Sequence, residues 1–180
     1  MKILSGRQPW WWAILHAGKR IENRRWNTHY RGPILLHAAK GCTTPEYVEA
    51  LRWMLRAHVI DTTLGVPNRT DMLRGGIVGR ARIVDVVPPC AGPGGRCQCK
   101  VALSFGRSWH MPEQYGFVLA DVEPLHFIPW KGSLGLLDAP AELLAQIDVP
   151  SRPLGYPELF RAMESLADGK QPMFDPESGR

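Results

Sequence analysis

The 180-residue sequence lacks a long apolar run. No stretch reaches the roughly 18–20 consecutive apolar residues that span a bilayer. The early apolar segment from Trp10 to Leu15 is too short and too aromatic for the core of a signal peptide. Hydrophobic residues make up 44% and charged residues 22% of the chain, near the averages of globular proteins, which argues against wholesale disorder. We therefore expect a folded, cytoplasmic protein with no membrane partner.

Cysteine is also scarce, with four residues in the whole chain. Without a secretory signal, so few cysteines point to a reducing compartment and exclude a disulfide framework. Cys90, Cys97, Cys99 and His110 could supply four soft ligands, but their spacing lacks the tight pairs that common zinc sites use. We therefore predict no metal and no other cofactor.

Acidic residues are nearly missing from the first forty positions. Residues 1–40 hold one acid, Glu22, and eight bases, a net charge of +7, so that residues 41–180 sum to −2 within a total of +5. The same segment holds four of the seven tryptophans. Aromatic faces stack on unpaired bases while cations hold phosphates, so this composition favours a nucleic-acid partner. The alternative is that the tryptophans fill the core and the arginines solvate its rim.

The first half of the chain predicts two helices and two strands. Proline suits the first turn of a helix over 9–17, which Gly18 would end. A two-residue alternation predicts a short strand over 20–24, and an apolar run predicts a buried strand over 33–38. A second helix follows to about residue 57, capped by Thr43 or Thr44, with Glu46 completing a capping box.

The second half predicts mainly short strands. They cover 77–87, 115–120, 125–128 and 134–137, and a helix covers 140–147. Residues 88–95 are rich in proline and glycine and are expected to form a loop. Several short strands with early helices predict an α+β fold, a small mixed barrel with helices packed on it.

Several segments carry a family resemblance. They are Gln8-Pro9-Trp10, the Gly-Lys-x-x-Glu-x-Arg block from Gly18 to Arg24, Trp26, Tyr30 to Ala38, Gly76 to Gly79, Tyr115 to Leu119, and Pro129 to Leu136. Over roughly residues 5–138 the chain resembles the ASCH domain, named for the homology region of the activating signal cointegrator, in the PUA-like superfamily. The resemblance implies a PUA-like barrel over 1–140, which leaves 141–180 as accessory helices or a partly ordered tail.

The resemblance also implies a nucleic-acid-binding cleft between the first helix and the segment from Lys19 to Arg24, with RNA preferred over DNA. Guanidinium groups bind phosphate bidentately and stack on bases, and indole rings provide stacking walls. The predicted ligand is one or two unpaired or modified nucleotides. The predicted binding residues are Gln8, Trp10, Arg20, Arg24, Trp26, Arg31, His37, Lys40, Trp130 and Lys131.

The first helix carries three consecutive tryptophans. Trp10 opens the helix, and among the stacking candidates it is the one that we most expect to be packed in the core. Successive helical positions lie about 100° apart. We therefore expect Trp11 or Trp12, or both, to be exposed or to line the cleft.

Catalysis is the second hypothesis, with Lys19, Glu22 and Tyr30 as candidates. Glu22 would either anchor a neighbouring cation or act on a substrate. One bacterial branch of the resembled family removes the acyl group of acetylated cytidine with a lysine, a threonine and a glutamate. Aligning that lysine on Lys19 places Glu22 at the threonine position, so the hydroxyl is missing.

Other relatives of that family are ribonucleases, which need a general base, a general acid and a cation at the phosphate. Lys19, Tyr30, His37 and Lys40 carry suitable groups. Tyr30 could instead brace the turn before Gly32, and His37 could be a hydrogen-bonded side chain without a role in the chemistry. The alternative function is therefore a hydrolase, either a ribonuclease or an amidohydrolase on a modified base. A third hypothesis is a protein-interaction module that uses the proline-rich segment 149–180.

Overall fold

A computed structural model describes residues 1–56, 65–90 and 109–147. The elements in chain order are β1 (Lys2–Gly6), α1 (Trp10–His16), β2 (Ile21–Arg24), β3 (Gly32–Ala38), α2 (Thr44–Arg56), β4 (Gly76–Val87), β5 (Tyr115–Pro129), β6 (Leu136–Asp138) and α3 (Ala141–Ile147). No helix among the described residues is long and apolar enough to cross a membrane.

The strands form one six-stranded sheet with the order β2-β5-β4-β3-β1-β6. Only β1 and β3 pair in parallel, and the other neighbours are antiparallel. The sheet curls into a half-barrel. Three strands separate β2 from β1, yet the Arg24 guanidinium donates a hydrogen bond to the Ser5 carbonyl oxygen at 2.6 Å. The curl thus brings the two ends of the sheet together. Helices packed on a mainly antiparallel sheet confirm the predicted α+β class.

Apolar side chains are buried on both faces of the sheet. Leu4 and Leu36 join Trp11 and Ile14 of α1 in one hydrophobic cluster. The alternate residues of β1 and β3 point to the other face, because side chains alternate along a strand. There they join a second cluster, Ile3, Leu35, Ile77, Ile128 and Leu143, the last of which belongs to α3. The helices thus cover the two faces and leave the strand ends free to form a site.

The local signals for α2 are confirmed. The backbone N–H of Thr43 donates to the Glu46 carboxylate at 2.9 Å, and the backbone N–H of Glu46 donates to the Thr43 hydroxyl at 3.4 Å, which is a capping box. The predictions of α1, β2, β3, β4 and α3 are confirmed to within a few residues.

Two strand predictions need correction. The strands predicted over 115–120 and 125–128 are one strand, β5, which continues through Asp121 in a left-handed conformation with φ of 50°. The register against β4 shifts at three places, so β5 bends rather than ends. In addition, β1 was not among the predicted strands. Its pairing with β3 and β6 is formed between residues distant in sequence.

The chain divides into two compact units, Met1–Val149 and Pro150–Arg180. The second unit lies outside the described residues, as does most of the loop predicted over 88–95. The predicted tail and its boundary near residue 140 therefore stay predictions.

Candidate nucleotide-binding site

An open pocket of about 1080 Å³ lies where the ends of four strands meet. Because β1 and β3 are parallel, their carboxyl ends share one edge of the sheet. The antiparallel partners place the beginning of β4, next to Gly75, and the end of β5, at Pro129, at the same edge. This volume lies slightly above the range of about 300–1,000 Å³ that is typical of ligand pockets.

Two indole rings and several cations line the pocket. The rings are those of Trp10 and Trp130, both partly exposed. One carboxylate, Glu22, accompanies four cations among the lining residues, which are Arg7, Arg24, Lys40 and Lys131. Positive charge therefore exceeds negative charge around two surfaces suited to stacking.

Two of the lining cations are lysines, Lys40 and Lys131. Lys40 and Lys131 are exposed, and within residues 1–56, 65–90 and 109–147 no carboxylate forms an ion pair with either. Arg7 is different, because it pairs with Glu46. The lysines are thus the cations most available to an anionic ligand.

Glu22 joins two cations beneath the pocket. Its Oε2 lies 2.9 Å from Lys19 Nζ, and its Oε1 lies 3.0 Å from Arg24 Nη2. The Lys19 side chain is 1% exposed and that of Glu22 is 8% exposed, so the pair is removed from bulk water. Lys19 Nζ also donates to the Ile21 carbonyl oxygen, and it lies 5.7 Å from the centre of the Trp10 ring. The carboxylate therefore holds Arg24 against the pocket wall.

Burial lowers the pKa of Lys19 from its usual range, and the nearby Arg24 charge lowers it further, while Glu22 opposes the shift. Desolvation disfavours the charged form of an amine, whereas an adjacent carboxylate favours it. Lys19 does not line the pocket. Lys19 therefore bonds to Glu22 on the side away from the pocket, and Glu22 is the member of the pair that a ligand would contact.

A second polar group joins the strands at the pocket wall. His37, which is buried in β3, has its Nδ1 3.1 Å from the Ser5 hydroxyl and its Nε2 3.0 Å from the Trp130 carbonyl oxygen. The Ser5 hydroxyl also accepts the backbone N–H of Ser133 at 3.3 Å. These bonds fix the segment that carries Trp130 and Lys131 against the ends of β1 and β3.

Seven of the thirteen residues proposed from the sequence line this pocket. They are Trp10, Glu22, Arg24, His37, Lys40, Trp130 and Lys131. Residues from four separate parts of the chain are therefore brought to one cavity, whereas Gln8, Lys19, Arg20, Trp26, Tyr30 and Arg31 are not on its wall.

Those six make contacts within the fold. Gln8 is buried and bonds to the Leu73 carbonyl oxygen and the Trp12 backbone N–H. The Arg20 guanidinium donates to the backbone carbonyls of Ile14 and Lys19. The roles predicted for them in binding or catalysis stay predictions.

Trp26, Tyr30 and Arg31 each contact a residue that does not line the pocket. Trp26 packs edge-on against Phe117 with ring centres 5.1 Å apart. The Tyr30 hydroxyl donates to the Pro33 carbonyl oxygen at 2.8 Å, which braces the turn before Gly32. Arg31 pairs with Asp85 at 3.2 Å on the surface.

The expectation for the three tryptophans of α1 is wrong. Trp11 and Trp12 are both buried, at 0% and 5% exposure, and Trp10 is the one that lines the pocket. The Trp11 indole N–H donates to the His37 carbonyl oxygen at 2.6 Å, which satisfies its polar atom in the core. Trp10 meets Trp53 of α2 edge-on at 5.7 Å, so α1 is packed on more than one side.

Ten of the seventeen lining residues were not among those proposed from the sequence, and four of the ten have polar side chains, Ser5, Arg7, Asn23 and Ser133. Ser5 lies in β1, which the sequence pattern did not reveal, because this strand is held by pairing with β3 and β6, both distant in sequence. Ser133 follows the Trp130-Lys131 pair, and its place beside Ser5 depends on a contact across 128 positions. For Arg7 a signal existed, since it is one of the eight clustered bases.

Of the four soft ligands considered in the sequence, the structure describes two, Cys90 and His110. The Cys90 thiol lies 3.8 Å from His110 Nδ1, and no group of three metal-ligating side chains occurs in the part of the chain that the structure describes. Cys97 and Cys99 lie outside the described residues.

A search of the curated proteins finds no match to this chain. Among protein families, the ASCH domain matches residues 4–126, more than half of the chain. This range contains the end of β1, all of β2, β3 and β4, the first part of β5, and the pocket wall from Ser5 to Lys40. The chain therefore belongs to the ASCH domain family.

Proposed function

We propose that this protein is a nucleic-acid-binding module that holds one or two unpaired or modified nucleotides in the pocket, with RNA preferred over DNA. The observation that carries the proposal is one large cavity lined by two partly exposed tryptophans and by two lysines that form no ion pair with a carboxylate of the described residues. Family membership supports it, since the resemblance to ASCH domains implies nucleic-acid binding in a PUA-like barrel. The scarcity of cysteine supports a cytoplasmic location.

Each part of the pocket has a role in this proposal. A base stacks on the Trp130 or Trp10 ring, and such stacking contributes about 1–3 kcal/mol per base. Lys40 and Lys131 neutralise phosphates at the rim. Arg24, held by Glu22, offers its guanidinium to a phosphate or a base edge. RNA preference would come from contacts to the 2′-hydroxyl.

Fluorescence anisotropy with a labelled single-stranded RNA and the DNA of the same sequence tests this function. We expect tighter binding of the RNA and a steep loss of affinity as salt rises from about 50 to about 200 mM, because phosphate contacts release counterions. A flat affinity across that range would contradict the proposal. The variant Arg80→Ala removes one basic charge that does not line the pocket, so its RNA affinity and salt dependence should stay close to those of the unaltered protein.

The alternative is a hydrolase acting on RNA or on a modified nucleoside. The observation in its favour is that Glu22 lines the pocket with Lys19, a lysine of lowered pKa, directly behind it. Purified protein would be incubated with single-stranded RNA and with acetylated cytidine, beside the Lys19→Ala variant. Turnover no greater than that of the variant leaves binding as the function.

A further inference from the structure

One leucine at the mouth of the pocket is almost fully exposed to water. Leu134 lines the pocket and is 96% exposed, whereas the next most exposed large apolar residue of the described segments, Leu137, is 49% exposed. Single exposed leucines are common on protein surfaces. Leu134 differs from them in position, because it lines the same pocket as Trp130 and Lys131, four and three positions earlier in the chain.

The loop over residues 132–135 is held against the end of the sheet. The Ser133 backbone N–H donates to the Ser5 hydroxyl at 3.3 Å. A Cβ atom at Gly132 would overlap the His37 ring, so the loop backbone lies directly on that ring. The beginning of the loop is therefore fixed relative to the pocket wall.

The chain turns into β6 directly after Leu134. Gly135 has a φ of 77°, in the left-handed region that favours glycine. The strand then begins at Leu136, which pairs with Leu4 of β1. Leu134 is thus at the tip of a short turn that is attached to the sheet on both sides, and the fold leaves its side chain uncovered.

A base stack is a surface that such a tip can enter. A nucleotide that occupies the pocket must leave the bases on which it was stacked, and this unstacking costs free energy. Leucine is one of the apolar side chains that proteins insert between adjacent bases. The face of the next base would cover the leucine and remove its apolar surface from water, which offsets part of that cost.

The surroundings of Leu134 favour a nucleic acid over a protein surface. Lys131, Gly132 and Gly135 are exposed and present no large apolar group beside it. Protein interfaces use contiguous apolar patches, whereas a wedge needs a single side chain. The charge of Lys131 can hold a phosphate of the strand where it continues past the pocket.

We propose that Leu134 is a wedge that packs on the base next to the nucleotide in the pocket and prevents the two from stacking again. The protein therefore takes its nucleotide from a stacked strand and does not need one that is already free. This inference rests on the proposed function, since it requires a nucleotide in the pocket.

Two ligands test the wedge, a short oligoadenylate RNA that carries one 2-aminopurine, and adenosine monophosphate. The fluorescence of 2-aminopurine rises when the base is unstacked, so it reports the separation directly. Leu134→Ser should raise the Kd of the oligoadenylate by about 10-fold, since one leucine is no longer buried, and should reduce the fluorescence rise on binding. The Kd of adenosine monophosphate, measured by calorimetry, should stay close to that of the unaltered protein, because a single nucleotide has no neighbour.

Two further variants sharpen this test. Leu134→Met keeps an apolar tip and should retain both the affinity and the fluorescence rise. Leu137→Ser is the matched control, because it removes an exposed leucine that does not line the pocket, and it should change neither quantity.

The outcomes separate the wedge from the binding function. If neither ligand binds the unaltered protein, the binding function fails and the wedge fails with it. If the oligoadenylate binds and Leu134→Ser matches the unaltered protein in Kd and fluorescence, the wedge is overturned while the binding function stands. Equal weakening for both ligands also overturns the wedge, because Leu134 would then act as part of the pocket wall. Loss of a dimer in Leu134→Ser with unchanged RNA binding would instead assign the tip to a contact between copies of the chain.

Discussion

Arginines and lysines occupy two contrasting regions of this protein. On the exposed side of β4 and β5, every arginine of the pairing strands faces an acid across the ladder. Arg80 lies 2.7 Å from Glu123, and Arg82 lies 3.0 Å from Asp121. At the pocket, the buried carboxylate of Glu22 forms ion pairs with both Lys19 and Arg24. The rim lysines, Lys40 and Lys131, form no ion pair with a carboxylate of the described residues.

The difference lies in what balances each charge. Exposed pairs such as Arg80 with Glu123 have opposite charges on neighbouring strands and need no ligand. The pocket has more cations than anions, and its remaining positive potential is available to phosphate. A count of basic residues along the chain cannot distinguish the two regions, because only the fold determines where the acids lie.

The largest expected effect separates the buried carboxylate from an exposed one. Glu22→Gln leaves Lys19 and Arg24 without a counter-charge, and we expect the free energy of unfolding at pH 7 to fall by about 3 kcal/mol. Glu123→Gln, the matched change in the exposed pair, should cost at most about 1 kcal/mol. Urea denaturation measures both.

The cost of Glu22→Gln should shrink at high pH. The lowered pKa of Lys19 lets this buried amine lose its proton, and a neutral amine needs no counter-charge. If Glu22→Gln and Glu123→Gln lowered the free energy of unfolding at pH 7 by equal amounts, the Lys19–Glu22 pair would behave as a surface pair.

A smaller effect concerns the stacking wall. Trp130→Ala should weaken single-stranded RNA binding by about 1–3 kcal/mol, roughly 5- to 150-fold in Kd. Trp130→Phe keeps an aromatic face and should retain most of the affinity. Anisotropy titrations measure both, with thermal unfolding as a check because Trp130 also packs against the core. An unchanged Kd in Trp130→Ala would remove this ring from the binding surface.

Local signals in the sequence were enough to predict most of the elements. The Thr43–Glu46 capping box and the apolar run before Ala38 are formed by neighbouring residues, so spacing alone reveals them. The continuity of β5 through Asp121 could not be predicted in this way, because the pairing with β4 maintains a strand across a conformation that usually ends one.

The site was predictable where its residues cluster in the chain or lie in segments that resemble the family, as Trp130 and Lys131 do. Glu22, Arg24 and Lys40 belong to the basic aromatic segment, and all three line the pocket. The burial of Trp11 and the exposure of Trp10 depend on how α1 packs between the sheet and α2, which helical spacing does not determine. Ser5 reaches the pocket only through its pairing with β3.

The rim lysines should affect the salt dependence of binding more than its sequence preference. Each phosphate contact to a single strand contributes about −0.7 to the slope of log K against log salt. The double variant Lys40→Ala with Lys131→Ala should therefore make the slope shallower by about 1.4. Arg80→Ala with Arg82→Ala removes the same charge from the exposed pairs and should leave the slope close to its original value. Equal changes in both double variants would mean that net charge, and not the pocket, governs binding.

The smallest expected effect is a pH dependence of stability that arises at the pocket wall. Burial lowers the pKa of His37 in the folded protein below its ordinary value of 6.5. As the pH falls through 6.5, the unfolded chain therefore takes up a proton that the folded protein resists, and the free energy of unfolding decreases. His37→Gln should make this acid-side decrease shallower without abolishing it, since burial also lowers the pKa of His16 and His110. Urea denaturation between pH 7.5 and pH 5 measures the slopes, with His29→Gln as the reference. If the free energy of unfolding of His37→Gln fell with pH as steeply as that of the unaltered protein, the His37 ring would be protonated as easily in the folded protein as in the unfolded chain. The hydrogen bonds to Ser5 and Trp130 would then not keep the ring neutral.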